Sequence, residues 1–249
     1  MSAKQAVIMA AGTSARFVPN SLEYPKGLAV VKGEVLIERQ IRQLKEAGVE
    51  HIIVVTGYKS EQFDYLADAG VILVYNPEYD LKNNHSSLYY ARDYLEESFI
   101  CSSDNYFQKN PFLDITEDSY YSAIFVEGNT EEWVIHTDKR DKITGVTIGG
   151  SDAWVMLGHA YFNKEFGKIF RRILIDTFHD PKTARKYWED LYIEHIAELP
   201  MFIHRYPKNI VFEFDSLDEL REFDHSYWDN PRTEIIDYIS NTQIGRAHV

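Results

Sequence analysis

The stretch Val7-Ile8-Met9-Ala10-Ala11-Gly12-Thr13-Ser14-Ala15-Arg16, with Pro25-Lys26-Gly27-Leu28 soon after it, decides how this chain folds. A short apolar run passes into small residues, which predicts a buried strand that ends in an open loop. Small residues let the backbone N–H groups of such a loop approach a polyphosphate closely. Arg16 and Lys26 are cations of the kind that phosphates need. We therefore predict that a nucleotide is bound by three consecutive small residues, Ala10, Ala11 and Gly12.

The loop by itself leaves a second interpretation open, namely a plain strand-to-loop turn with two surface cations. It is not a Walker A sequence, which requires Gly-Lys-Ser/Thr, and it is not the dinucleotide pattern Gly-x-Gly-x-x-Gly. The loop and its cations therefore favour phosphate binding but leave the class of nucleotide-binding protein open.

Composition and charge restrict the class of protein. A chain of 249 residues with 45% apolar residues can bury a proper core, in one large domain or in a domain with an appendage. The net charge of −13 argues against general nucleic-acid binding, although a small nucleotide can bind where local cations neutralise it. The single cysteine, Cys101, excludes an internal disulfide and fits a reducing compartment. Because there is also no apolar run of about 20 residues and no signal peptide at the N-terminus, we expect a cytoplasmic protein that does not bind membranes.

The first half of the chain alternates between strand and helix patterns. Apolar runs predict strands at 7–10, 52–55, 71–75 and 99–102, and helical spacing predicts helices at 35–47, 61–67 and 86–96. Strict alternation indicates βαβ units and a Rossmann-like, doubly wound, mostly parallel α/β sheet. Ligands of such sheets lie beyond the carboxyl ends of the strands. We therefore expect the Gly12 loop, Gly57-Tyr58 and Asp104 along one edge of the sheet.

The second half changes character and predicts an added lobe with a mixed sheet. Strand patterns occur at 121–125, 133–136, 143–148, 153–161 and 211–214, and helix patterns occur at 164–177, 183–199 and from 217 onward. We divide the chain into one α/β domain at 1–229 and the start of a linker to a lost downstream domain at 230–243. We interpret 244–249 as a non-native tail, because it resembles a translated sequencing adapter.

Several polar residues follow strands or begin helices near the predicted nucleotide loop. Asp104 comes directly after the strand at 99–102, where a carboxylate can hold Mg²⁺, although a turn or a helix cap explains it as well. Asn84 and Ser87 lie where the helix at 86–96 begins, so they either cap that helix or contact the base or ribose of a nucleotide.

Two clusters, at 130–133 and 186–192, combine aromatic and acidic residues. Aromatic faces with nearby carboxylates bind quaternary ammonium groups through cation–π and charge attraction. Aromatic residues at helical spacing are also typical of core packing, and Trp188 and Tyr192 would share a helix face. The candidate residues for binding a second substrate are Trp133, Tyr187, Trp188, Glu189, Asp190 and Tyr192.

The loop and Pro25-Lys26 resemble a family signature, Leu-Ala-Ala-Gly-x-Gly-x-Arg and then Pro-Lys, of the sugar-phosphate nucleotidyltransferases in the MobA-like NTP transferase superfamily. Ser14 stands where that family usually has its second glycine. Further segments are similar to the bacterial CTP:phosphocholine cytidylyltransferases of the lic type: Gly57-Tyr58, 61–66, Asn84, 87–89, 104–106, Glu132-Trp133, Tyr187-Trp188 and Asp215-Ser216. The similarity extends to Phe223, but Glu189-Asp190 stands where Asp-Asn is expected.

This resemblance implies a nucleotide-diphospho-sugar transferase fold whose second half is an acceptor-binding lobe. It also implies a Mg²⁺-dependent reaction of CTP with phosphocholine that gives CDP-choline and pyrophosphate. Lys26 would stabilise charge at the α-phosphate during a direct in-line displacement, with Arg16 as a second catalytic cation. The two metal ligands of the family would correspond to Asp104 and Asp215, and Tyr58 would contact the nucleotide. Some relatives are joined to a choline kinase domain, which fits the lost downstream domain.

Two other functions stay open on the sequence alone. A sugar 1-phosphate or another small phosphate can replace phosphocholine as the acceptor, although sugar sites depend on polar side chains and the clusters here are aromatic. A regulatory module that binds a nucleotide without turnover is supported by Ser14 alone. Lys26, Asp104 and Asp215 together favour an enzyme, because a sensor does not need the full set.

Overall fold

The computed structural model describes residues 3–214, 216–230, 232–235 and 238. The strands are β1 (Gln5–Ala10), β2 (Val30–Val31), β3 (Glu34–Val35), β4 (His51–Thr56), β5 (Ile72–Tyr75), β6 (Ser98–Ser102), β7 (Asn105–Phe107), β8 (Tyr120–Thr137), β9 (Ile143–Phe162), β10 (Phe202–Arg205) and β11 (Val211–Glu213). The α-helices are α1 (Leu36–Glu46), α2 (His85–Tyr90), α3 (Lys164–Thr177), α4 (Trp188–Glu194), α5 (Leu217–Phe223) and α6 (Ser226–Asp229).

A seven-stranded sheet forms the centre of the fold, with the strand order β10-β8-β9-β6-β1-β4-β5. Strands β6, β1, β4 and β5 run parallel to one another, and β9 pairs antiparallel with both β6 and β8. The central strand β1 is apolar on both faces, as is typical of parallel strands that are covered on both sides. The predicted α/β fold with a mostly parallel central sheet is confirmed.

Helices cover both faces of this sheet. Helix α1 buries Ile41 and Leu44 in the same cluster as Ile8 of β1. Helix α3 lies on the opposite face, where Phe170 packs in the cluster that contains Val7. Because neighbouring residues of a strand point to opposite faces, this division of Val7 and Ile8 marks two separate layers. The doubly wound arrangement that the alternating sequence predicts is therefore present.

The second half differs from its prediction in the length of its strands. The four strands predicted between 121 and 161 are two long strands, β8 and β9, which pair antiparallel across several register shifts. Gly128 and Gly149 take positive φ angles of 76° and 78° within them. Glycine adopts this conformation without steric cost. The backbone therefore bulges where the apolar pattern breaks, and the hydrogen-bonded ladder continues beyond the bulge.

The helix predicted at 183–199 is shorter in the structure, where α4 covers only Trp188–Glu194. The backbone before α4 pairs with the loop that precedes α2. The N–H of Asn83 donates to the carbonyl of Ala184 (2.8 Å), and the Asn83 side chain donates to the carbonyl of Arg185 (3.1 Å). These carbonyls are therefore used in tertiary contacts, which a sequence pattern does not reveal.

Other predicted elements are shifted or were missed. The helix predicted at 86–96 ends at Tyr90, and the helix predicted at 61–67 is a 3₁₀ segment, Ser60–Ala69. Strands β7 and β10 have no counterpart in the prediction. Helix α3, by contrast, covers the predicted range of 164–177, and the Asn163 side chain caps it by accepting from the N–H of Phe166.

The end of the described chain contacts the first half. The carboxylate of Glu23 accepts hydrogen bonds from the N–H groups of Glu234 (3.1 Å) and Ile235 (2.9 Å), and from the hydroxyl of Thr233. The tail predicted at 244–249 and most of the linker predicted at 230–243 lie outside the described residues. Within the described part of the chain, no helix combines the length and the apolar character that a bilayer crossing requires.

Candidate active site

The loop that follows β1 is braced by the loop that follows β4. The N–H of Tyr58 donates to the carbonyl of Ala11 (3.0 Å), and the Tyr58 hydroxyl donates to the carbonyl of Ser21 (2.9 Å). Gly57 permits this approach, because a Cβ there would lie 2.8 Å from the Ala11 oxygen and 2.6 Å from the Tyr79 ring. The structure places Tyr58 behind the loop that follows β1, outside the lining of the two cavities described next.

A cavity of about 190 Å³ opens at the carboxyl ends of β1, β5 and β6. The residues predicted to bind nucleotide or metal that line it are Ala10, Ala11, Gly12, Lys26, Asn84, Ser87 and Asp104. Lining residues that the sequence analysis did not single out are Asn76, Tyr79, Lys82, Ser86 and Ser103. The topology therefore gathers residues from distant parts of the sequence at one sheet edge, as expected for a doubly wound fold.

Lys26 and Asp104 form an ion pair on the wall of this cavity. The Nζ of Lys26 lies 2.9 Å from the Oδ2 of Asp104, and the Lys26 side chain is only 8% exposed. A buried pair of this kind is costly to break, because removal of one partner leaves an uncompensated charge. The other carboxylate oxygen of Asp104, Oδ1, is buried and has no hydrogen-bond partner. It is an acceptor that a ligand cation can use.

The donor set around Asp104 is compatible with a magnesium ion. Mg²⁺ takes oxygen ligands, usually few carboxylates, and completes its shell with substrate phosphates and water. The orphaned Oδ1 of Asp104 supplies one such oxygen, and Glu213 lies on the wall of the adjoining cavity. Asp215, the second predicted ligand, lies outside the described residues. Among the residues that the structure describes, no group of three or more His, Cys, Asp or Glu side chains forms a metal cage by itself.

A larger cavity of about 780 Å³ continues from the first one and shares Gly12, Lys26, Asn84 and Asp104 with it. Arg16 also lines this cavity. Its remaining wall includes residues from the second half of the chain: Tyr121, Glu131, Glu132, Trp133, Tyr187, Trp188, Glu189 and Glu213. A nucleotide at the first cavity and a small acceptor at the second would therefore lie side by side.

Glu189 is a carboxylate held in place on this wall. The hydroxyl of Tyr121 donates to its Oε1 (3.1 Å), and the Nδ2 of Asn84 donates to its Oε2 (3.3 Å). The Asn84 amide cannot turn round, because its Oδ1 accepts from the N–H of Trp188 at 2.7 Å. Burial raises the pKa of Glu189 to about 7, and the two hydrogen bonds oppose that rise. Glu189 therefore titrates near neutrality and ionises more readily when a cation lies beside it.

The aromatic residues of the wall differ in what they present to a ligand. Trp133 and Tyr187 meet edge to face, with ring centroids 5.9 Å apart and an interplanar angle of 84°. Tyr187 is 47% exposed. Trp188 is 1% exposed and stacks on Tyr121 at 5.6 Å. Trp133 and Tyr187 are therefore open to a ligand, whereas the ring of Trp188 belongs mainly to the core.

Two residues predicted to bind the acceptor, Asp190 and Tyr192, make contacts within the fold in the structure. The carboxylate of Asp190 accepts from the N–H of Tyr187 (2.7 Å) and caps α4. Tyr192 is fully buried and packs against Phe166, with ring centroids 6.1 Å apart. Neither residue lines either of the two cavities described above. Helix α4 turns Tyr192 inward because this side of the helix covers the large apolar cluster.

The sequence analysis missed Tyr121, Asn76 and Glu213. Tyr121 lies in β8 within an aromatic run, and no local signal distinguishes it from a core tyrosine. Asn76 directly follows β5, so the rule that located Asp104 would have found it, since a polar residue ends a parallel strand in both cases. Glu213 ends β11 and lines the larger cavity.

Comparison with known proteins shows relatives along most of the chain. Residues 6–117 match the family model of the MobA-like NTP transferase domain. The chain is 40% identical over 232 residues to a 2-aminoethylphosphonate cytidylyltransferase from Lancefieldella rimae, across 89% of this chain and 92% of the relative. It is 31% identical over 222 residues to a choline-phosphate cytidylyltransferase from Streptococcus pneumoniae, across 88% of this chain and 96% of the relative.

A solved structure has the same fold. The CTP:phosphocholine cytidylyltransferase from Streptococcus pneumoniae matches with a TM-score of 0.84 at 31% identity, across 89% of this chain and 97% of that chain. Because these relatives are matched over nearly their full length, they give no support for a fused choline kinase domain. The chain belongs to the cytidylyltransferases, a group of nucleotidyltransferases, and its residues 6–117 match a MobA-like NTP transferase domain.

Proposed function

We propose that this chain transfers CMP from CTP to 2-aminoethylphosphonate and releases pyrophosphate. The observation that carries the proposal is the carboxylate of Glu189, which Tyr121 and Asn84 hold on the wall of the larger cavity. The relative from Lancefieldella rimae is a 2-aminoethylphosphonate cytidylyltransferase, and this supports the same acceptor here.

The acceptor has a primary ammonium group, and the wall offers oxygen atoms to receive it. A primary ammonium donates three hydrogen bonds and needs acceptors around it. Each oxygen of Glu189 accepts one side-chain hydrogen bond, from Tyr121 or from Asn84, and retains a further lone pair. Glu131, Glu132 and Glu213 bring further carboxylates to the same cavity. This set of hydrogen-bond acceptors suits a cationic amine better than the hydroxyl groups of a sugar.

Phosphocholine is the second candidate acceptor, and a separate observation favours it. Trp133 and Tyr187 form a corner of two perpendicular aromatic rings beside these carboxylates. A quaternary ammonium donates no hydrogen bonds and binds aromatic faces through cation–π attraction. The two candidates therefore differ in whether the carboxylate of Glu189 or the aromatic corner provides most of the binding energy.

The proposed chemistry is a direct displacement at the α-phosphorus of CTP. An oxygen of the acceptor's phosphonate forms a bond to that phosphorus while its bond to the bridging oxygen of pyrophosphate breaks. Pyrophosphate leaves with the electron pair of that bond. A displacement of this type depends on positioning and on charge stabilisation rather than on a protein nucleophile.

The residues around the loop have distinct roles in this proposal. The Gly12 loop receives the phosphates on its backbone, and the ammonium of Lys26 stabilises the charge that develops at the α-phosphate. Arg16 lines the larger cavity and would neutralise the incoming phosphonate. When bound by Asp104, with Asp215 as a further ligand, Mg²⁺ would supply additional neutralisation of the phosphates.

Pyrophosphate release tests the proposal. Each of the four NTPs is combined with 2-aminoethylphosphonate, phosphocholine or a hexose 1-phosphate in the presence of Mg²⁺. We expect the highest kcat/KM for CTP with 2-aminoethylphosphonate. A higher kcat/KM for CTP with phosphocholine would make phosphocholine the favoured acceptor instead of 2-aminoethylphosphonate. Turnover of the sugar phosphate would contradict the amine site, and nucleotide binding without release in any pairing would favour a regulatory module.

A matched pair of variants separates the two acceptors. Glu189→Gln should lower kcat/KM for 2-aminoethylphosphonate by about 10- to 100-fold, which corresponds to a charge-assisted hydrogen bond of about 1.5–3 kcal/mol. Trp133→Ala should affect phosphocholine more than 2-aminoethylphosphonate, because it removes an aromatic face and no carboxylate. If each variant lowers kcat/KM by the same factor for both acceptors, neither side chain distinguishes the two amine groups.

A further inference from the structure

We propose that Asn76 is a positioning residue that lets the site select CTP over UTP, because it directs the hydroxyl hydrogen of Ser87 toward the base. The proposal rests on the proposed use of CTP, but it does not depend on the identity of the acceptor. Both residues line the smaller cavity at the carboxyl ends of the parallel strands, beside the loop that is predicted to hold the nucleotide.

The amide of Asn76 has one possible orientation. Asn76 is fully buried and directly follows β5, where its N–H donates to the carbonyl of Thr56 (2.8 Å). Its side-chain oxygen accepts from the N–H of Glu78 (3.0 Å), and a backbone N–H can only donate. A flipped amide would place two donors against each other. The NH₂ group therefore has to face helix α2.

This NH₂ group meets two neighbouring serine hydroxyls. The Nδ2 of Asn76 donates to the Oγ of Ser86 (2.8 Å) and to the Oγ of Ser87 (3.3 Å). Both oxygens therefore accept on that side, and both hydroxyl hydrogens point elsewhere. Ser86 donates its hydrogen to the carbonyl of Asn83 (2.8 Å), so its hydroxyl is fully used inside the protein.

The hydroxyl hydrogen of Ser87 points into the cavity, because no described residue accepts it. Ser87 is 3% exposed and lines the cavity, and no other residue in the described part of the chain accepts its hydrogen. A buried hydroxyl that already accepts from an amide presents a donor to whatever lies on its other side. Asn76 thus converts a hydroxyl that can donate or accept into one that donates into the cavity.

The two pyrimidine bases differ in the group that such a donor meets. Ring atom N3 of cytosine is an acceptor, whereas N3 of uracil carries a hydrogen and is a donor. Facing N3, as we propose, the Ser87 donor pairs with cytosine and opposes uracil, and an unpaired buried polar group costs about 1–3 kcal/mol. The expected selectivity from this one contact is therefore about 5- to 150-fold in favour of CTP.

Nucleotide binding without acceptor tests the proposal, with CTP and UTP titrated separately in the presence of Mg²⁺. In Asn76→Asp the carboxylate accepts where the NH₂ group donated, so the Ser87 hydrogen turns back to it and the cavity receives a lone pair. The ratio of the UTP and CTP dissociation constants should fall by about tenfold or more. A merely structural role of Asn76 would weaken both nucleotides alike and leave this ratio unchanged.

Two serine variants keep the proposal testable if Asn76→Asp does not fold, which circular dichroism would show. Ser87→Ala removes the donor and should lower the same ratio. Ser86→Ala is the matched control, and it should keep the ratio because the Ser86 hydrogen is used on Asn83. In the Ser87→Ala background, Asn76→Asp should cause no further change in the ratio. The proposal would be overturned if the ratio of the UTP and CTP dissociation constants stayed unchanged in Ser87→Ala. It would also be overturned if this ratio fell equally in Ser86→Ala.

Discussion

Glu189 illustrates how burial changes a single side chain. It lies on the wall of the larger cavity, and burial raises its pKa to about 7, whereas Glu131 and Glu132 on the same wall are exposed. Below that pH the group is neutral and above it the group is an anion. A cationic acceptor binds the anion better, so the pH sets the fraction of the protein in which Glu189 is ionised and binds the acceptor well.

We expect the affinity for the amine acceptor to rise by up to about tenfold per pH unit as the pH approaches 7, and to level off above it. Glu189→Gln stays neutral and should lack this rise. Isothermal titration calorimetry at a series of pH values below and above 7 measures the acceptor affinity of the original protein and of Glu189→Gln. The phosphonate of the acceptor also titrates, but it does so for both proteins alike. Parallel pH profiles would show that Glu189 does not meet the amine.

The placement of Tyr192 in the core, away from the two cavities, can be tested by substitution. Its hydroxyl is buried and has no hydrogen-bond partner. Tyr192→Phe removes this unsatisfied group, so the free energy of unfolding should stay the same or rise by about 1–2 kcal/mol. The KM for the acceptor should not change. Tyr121→Phe is the comparison, because it removes the donor to Glu189 and should change that KM. A raised KM in Tyr192→Phe would return this residue to the site.

At the scale of elements, the site depends on how closely the loop after β4 approaches the loop after β1. Gly57→Ala would place a Cβ 2.8 Å from the Ala11 carbonyl oxygen. We expect this variant to weaken CTP binding by about tenfold or more, since the loop must shift. Gly145→Ala is the control, because a Cβ there meets nothing within 4 Å. Titration with CTP measures the affinity of both variants. Equal affinities in Gly57→Ala and Gly145→Ala would mean that the loop after β1 can shift without loss of CTP binding.

Gly12→Ala separates folding from binding in the same loop. A Cβ at Gly12 meets nothing within 4 Å, so the free energy of unfolding should be nearly unchanged. The residue lines both cavities, and the added methyl group would stand where the phosphates are proposed to lie. Thermal denaturation should therefore match the original protein, while CTP affinity falls. Loss of stability in this variant would indicate that the glycine serves the fold.

At the scale of the whole molecule, the parallel strands of the first half and the strands of the second half share one core. Val7 of β1 belongs to the same buried cluster as Trp188 and Leu199, and β9 pairs directly with β6. A shared sheet and a shared cluster couple the two halves energetically, so neither half buries its apolar surface alone. The two cavities accordingly lie within one folding unit rather than between two separate ones.

This coupling predicts a single unfolding transition. All four tryptophans lie at position 133 or later, so their fluorescence reports on the second half, while far-ultraviolet circular dichroism reports on the whole chain. The two probes should give coincident curves. CTP at about 100 times its dissociation constant should stabilise both curves by about 2.7 kcal/mol. Separate transitions, with only one of them sensitive to CTP, would contradict the shared core.

Local pattern was sufficient for the elements whose burial repeats along the chain. The strand before Ala11, the helix at α1 and the bounds of α3 follow from the periodicity of apolar residues. The position of Asp104 beside the Gly12 loop also followed, because parallel strands in a doubly wound sheet end at one edge. These features depend on neighbours in sequence and on topology, and both can be read from the chain.

The tertiary structure alone decided which side chains face the larger cavity. Whether Tyr187 or Tyr192 turns toward the cavity depends on where α4 begins, and α4 begins late because the preceding carbonyls pair with the loop before α2. The pairing of Tyr121 with Glu189 joins residues far apart in the sequence. Contacts of this kind have no local signature, because their energy arises only after the sheet has brought distant segments together.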